Sequence, residues 1–69
     1  MIIYQHHMGK MVGNVHQTKD GFYYKIYYKI DGKNKIIARS YVNFFDRAVC
    51  EDRMIADMEL IDKNKLARP

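Results

Sequence analysis

The chain has 69 residues and a formal net charge of +4. This length predicts one domain that buries only about 60% of its unfolded surface. Cys50 is the only cysteine, which excludes an internal disulfide; no run reaches the ~20 apolar residues of a membrane span, and MIIYQHHMGKM lacks the basic start and apolar stretch of a secretory signal, so the expected setting is cytoplasmic, a bacterial host included.

Taken in chain order, residues 1–9 read as an arm or a short strand. Lys10 to Gln17, KMVGNVHQ, has a β-like composition and predicts a first strand. Thr18 to Gly21, TKDG, is turn chemistry, with Asp tolerating turn geometry and Gly supplying positive φ. Phe22 to Ile30, FYYKIYYKI, carries no breaker and predicts the second strand. Asp31-Gly32 marks a hairpin, and Lys33 to Tyr41 predicts the third strand. The period then changes. Phe44 to about Ile61 contains no Gly or Pro and predicts a helix within residues 43–62, with Asn43 as N-cap and Asp46 three residues on. Phe44, Ala48, Ile55 and Met58 fall close together at 100° per residue, flanked by Phe45 and Met54. Residues 63–69 read as a tail. The expected fold class is α+β: one domain with a three-stranded antiparallel sheet over residues 10–41, packed on one C-terminal helix.

Charge follows the same order. Lys10 to Tyr41 nets +5, Val42 to Asp62 nets −4, and the last seven residues add +3. A basic sheet backed by an acidic helix points to a polyanionic partner for the sheet.

Which side chains share a sheet face depends on the Asp31-Gly32 hairpin. A two-residue loop sets Ile30 opposite Lys33 and mixes charged and apolar side chains on both faces. A three-residue loop sets Lys29 opposite Lys33 and Tyr24 opposite Ala38, giving a core face of Phe22, Tyr24, Ile26, Tyr28, Ile36 and Ala38. Local turn statistics favour the shorter loop, and the cost of burying Lys35 and Arg39 favours the longer one. The segregated register is the one expected here. It gathers Tyr23, Lys25, Tyr27, Lys29, Lys33, Lys35 and Arg39 on the face that the helix leaves uncovered, together with Ile37.

Catalytic chemistry finds little support. His6, His7 and His16 are distant in sequence from Cys50, whose acidic neighbours Glu51 and Asp52 raise a thiol pKa rather than activate it. Adjacent histidines on an extended segment point opposite ways, and no zinc-type Cys/His spacing or glycine-rich phosphate loop is present. The helix acids lie between arginines as a solvated face would. The expectation is a non-enzyme without metal or cofactor.

From Lys19 to Leu60 the chain resembles the small N-terminal arm-binding domains of tyrosine recombinases, the integrases of phages and transposons, and the related plant ethylene-response-factor domain. The residues that carry this are Gly21 before Phe22 and Tyr23, the Tyr/Lys strand to Lys29, the DGKNK turn, Lys35 and Arg39 on the third strand, and Ala48 early in an amphipathic helix. Phe22 or Tyr23 stands where the family often has Trp, and Tyr41-Val42-Asn43 where it has Gly-Phe and a Thr cap. The resemblance implies a sheet that lies in the DNA major groove with the helix behind it, DNA contacts from Lys25, Tyr27, Lys29, Lys35 and Arg39, and a phage or mobile-element origin.

The function expected is a small DNA-binding module with double-stranded DNA as partner. The alternative is a small protein-binding modulator, a phage-type inhibitor of a host enzyme, acting through the sheet edge, the tyrosine face or the acidic helix. A third reading is a homodimer that buries the tyrosine face.

Overall fold

The computed structural model describes residues 1–40 and 43–64. Its elements are β1 (Ile2–Met8), β2 (Met11–Thr18), β3 (Gly21–Ile30), β4 (Lys33–Arg39) and α1 (Arg47–Asn64). The strands form one antiparallel sheet in the order β1-β2-β3-β4, and α1 packs across β1, β2 and β3. The fold is α+β with a C-terminal helix, as the sequence predicts, but the sheet has four strands rather than three. The N-terminal residues read as an arm or short strand are a full edge strand. Its apolar-polar alternation is disguised by a register shift between Ile2, which pairs with His16, and Tyr4, which pairs with Val15.

The hairpins explain why the strands meet where they do. Met8 and Met11 pair across Gly9-Lys10, with positive φ at Gly9 alone, the pattern of a type II′ turn. Asp31 (φ 51°) and Gly32 (φ 78°) are both left-handed, the type I′ pattern whose twist matches the flanking strands. Ile30 therefore pairs with Lys33 across a two-residue loop, which corrects the three-residue register expected from burial.

Segregation of the faces is partly restored further along. A bulge shifts the register between Tyr27–Ile36 and Ile26–Ala38, so Ala38 and Arg39 lie on the expected faces while Lys33, Lys35 and Ile36 do not. Lys35 shares a face with Tyr28 and Lys33 with Ile30, on the side of the sheet that carries α1. Ile36 instead stands 49% exposed on the opposite face, and Ile37 packs against the core. Burial does not set the register at this edge of the sheet. Among the described residues no Cα of α1 comes within 8 Å of one in β4, so Lys33 and Lys35 on that side of the edge strand reach water and neither charge is buried.

The core joins Met11 and Val15 of β2, Tyr24 and Ile26 of β3, and Cys50, Met54, Met58 and Ile61 of α1. Full burial of a side chain such as Ile26 or Met54 contributes about 1.5–3 kcal/mol. Gly13 makes room for the helix: a Cβ there would lie 2.7 Å from the sulfurs of both Met54 and Met58. The helix stripe is turned from the expected one. Ala48 is exposed and Cys50 is sealed, because Phe44 and Phe45 precede the helix instead of joining it.

Phe44 forms a β-bridge with Phe22, each backbone N–H donating to the other's carbonyl at 2.7 Å. That approach is why residue 21 is glycine, since a Cβ there would lie 2.5 Å from the Phe44 carbonyl oxygen. The helix is capped by Asp46, not Asn43. Its carboxylate accepts from the N–H of Ala48 at 2.8 Å and of Val49 at 3.4 Å. The helix continues through Lys63 and Asn64, beyond the end that the sequence predicts, and Lys63 suits the negative end of the helix dipole. The expected strand residue Tyr41 and tail residues 65–69 lie outside the described residues. Among the described residues no helix is long and apolar enough to cross a membrane.

Candidate nucleic-acid interface

Strand pleating assigns the face turned away from α1. Met11, Gly13 and Val15 point to the helix, so Val12, Asn14 and His16 point away. Their partners on β3 are Tyr27, Lys25 and Tyr23. Gln5 and His7 of β1 continue the rows through Asn14 and Val12, and Arg39 and Ile36 of β4 continue them through Lys25 and Tyr27. Lys29 pairs with Asn34 toward the hairpin end. The structure thus places Tyr23, Lys25, Tyr27, Lys29 and Arg39 together on this open face. It places Lys33 and Lys35 on the other side of the sheet. Arg39 sits at the edge and also lines a groove of about 650 Å³ bounded by Tyr24, Ser40, Phe44, Arg53 and Asp57.

The open face has internal order. The His16 and Tyr23 rings stack with centroids 4.7 Å apart and planes 7° from parallel. The Lys25 ammonium lies over the Tyr23 ring, 5.8 Å from its centroid. Burial, then Lys25, then the N-terminal ammonium hold the His16 pKa below its ordinary value. That ammonium is close because the Met1 amino group donates to the Gln17 carbonyl at 3.5 Å. Asn14, at the centre, is 8% exposed, and its Oδ1 has no hydrogen-bond partner; neither has the buried Nε2 of His16.

Sequence reasoning omitted Asn14 and His16 from the site. The signal was present as alternation in MVGNVHQT, where Met11, Gly13 and Val15 contrast with Val12, Asn14 and His16.

The charge pattern is sharper than the sequence totals suggest. No Asp or Glu occurs within any of the four strands. Two acids, Asp20 and Asp31, sit in turns, and six belong to the helix and its cap. On the helix Arg47 pairs with Glu51 at 2.6 Å, an i,i+4 ion pair, and Arg47 Nη2 also donates to the Ile3 carbonyl at 3.3 Å. Asp57 departs from the solvated-face expectation by accepting a hydrogen bond from the Tyr24 hydroxyl at 3.0 Å. Cys50 is buried in the core, where burial first and Glu51 second push its thiol pKa up, the opposite of an activated nucleophile. Among the described residues no three His, Cys, Asp or Glu side chains cluster as metal ligands would. No protein-family model matches the chain, and the searches of curated proteins and of solved structures found no match.

Proposed function

We propose that the open face of the sheet binds double-stranded DNA, with Lys25, Lys29 and Arg39 on phosphates and Tyr23 and Tyr27 packing against sugar or base edges. One observation carries this reading. Four strands free of carboxylates set Lys25, Lys29, Arg39, Tyr23 and Tyr27 on the face that the helix leaves uncovered, while most of the acids belong to the helix. Cationic contacts supply the greater part of sequence-independent DNA affinity, and the major groove admits a two-stranded ribbon such as the central pair β2 and β3. The same chemistry is what the resemblance to integrase arm-binding domains implies.

The register supplies an internal control, because pairs of lysines on opposite sides of the sheet can be neutralised at equal cost in net charge. Binding to a random duplex is measured over a range of salt for Lys25→Gln with Lys29→Gln, and for Lys33→Gln with Lys35→Gln. The first pair is expected to flatten the slope of log K against log salt by about 1.8, at ~0.9 per lost phosphate contact, and the second to leave it nearly unchanged. Equal effects from the two pairs, or no binding at low salt, would overturn the proposal. In that event a protein partner becomes the better reading, and the 92% exposed Phe45 is the first position to substitute in search of it.

A further inference from the structure

At the centre of the open face is a polar group that the fold itself does not satisfy. Asn14 is more than nine-tenths buried, its neighbours on the face are Gln5, Val12, His16 and Lys25, and its Oδ1 accepts no hydrogen bond. An apolar residue would fill this position at lower cost, since orphaned buried acceptors are rare and unfavourable. The cover over it includes a movable part. Lys25 is the direct cross-strand partner of Asn14, only half exposed, with its ammonium resting over Tyr23. A phosphate offers that ammonium a stronger partner than a ring face does, so the side chain directly across from the amide is one that DNA would draw outward.

Resting on the DNA-binding reading, we propose that Asn14 is the base-reading residue of the face and that it selects adenine. A carboxamide presents an acceptor and a donor side by side, and adenine presents N6–H and N7 to the major groove in the complementary order. Lys25 and Arg39 continue the row that starts with Gln5 and Asn14, so phosphate contacts on one side of that row set the register for the amide. The His16–Tyr23 stack beside it limits where the neighbouring base lies.

The test is selection of binding sites from a random duplex pool by the full chain and by Asn14→Leu. Leucine keeps asparagine's branching at Cγ and removes the orphaned acceptor, although it is the larger side chain, so the melting temperature of the variant is measured beside that of the wild type to establish that it folds. Wild type should enrich sites with an adenine at one fixed position. The variant should keep its affinity for random duplex and its salt slope, and lose about 5- to 150-fold of discrimination at that position, the range for one bidentate amide–base pair. If leucine does not fold, Asn14→Ala makes the same measurement. Unchanged discrimination in a folded variant sinks the proposal and leaves the DNA-binding reading intact. Absence of DNA binding by the wild type sinks both.

Discussion

Tyr24 joins sheet to helix. It is buried on β3, its hydroxyl donates to Asp57 of α1, and its backbone N–H donates to the Ser40 hydroxyl at 3.1 Å. Burial first, then the hydrogen bond to Asp57, push its phenol up to about 12. The sign of the consequence follows from linkage. The folded state holds this proton more tightly than the unfolded state does, so the stability it contributes is complete below pH ~10 and disappears as pH rises toward ~12. Tyr24→Phe is expected to lower stability by about 1–2 kcal/mol near neutral pH, the low end for a bond to a carboxylate, because half-exposed Asp57 can turn to water. Chemical denaturation measured across that alkaline window should show wild type and variant converging. A difference that stays constant across it would show that the Asp57 bond is not the source.

Helix α1 shows how local signals can name the right residues and give them the wrong roles. Asn43 and Asp46 read together as a capping pair, yet the β-bridge between Phe44 and Phe22 holds that stretch extended, and Asp46 alone caps. Asp46→Ala should therefore cost about 1 kcal/mol in thermal or denaturant unfolding, against a few tenths for Asn43→Ala; comparable losses would restore the original assignment. Legibility divides along the same line throughout the molecule. The Phe22–Ile30 strand, the position of the Asp31-Gly32 turn and the presence of the helix are readable because period and turn chemistry are local, whereas the length of that turn is misread once burial is weighed against its local preference. The bulge at Ile36–Ala38, the pairing of β1 and the rotation of the helix stripe onto Cys50 are not readable, because each depends on what a distant segment covers. The open face inherited both parts. Tyr23, Lys25, Tyr27 and Lys29 followed from alternation alone. Lys33 and Lys35 were misplaced by assuming that the helix shields every strand. Asn14 was passed over because an amide in a strand announces nothing until its burial is known.

At the scale of the whole chain, the open face of a thin body carries Lys25, Lys29 and Arg39 and no acid, while the helix side carries six of the eight acids together with Lys33, Lys35, Arg47, Arg53 and Lys63. The Cα extents are 34 × 22 × 18 Å, and helix and open face lie on opposite sides of the sheet. A duplex approaching the sheet meets cations first, but it also feels Asp52, Glu59 and Asp62, all exposed on α1. The Debye length decides how much. At ~0.15 M salt it is about 8 Å, shorter than the smallest extent of the molecule, whereas at ~0.01 M it is about 30 Å and the acids act through the full thickness. Neutralising all three, as Asp52→Asn, Glu59→Gln and Asp62→Asn, should thus raise affinity for random duplex several-fold at low salt and less than about twofold at physiological salt. Fluorescence anisotropy at the two salt concentrations measures this directly. A gain that survives at the higher concentration means that these helix positions touch the DNA themselves, and the duplex would then have to lie against α1 instead of the open face.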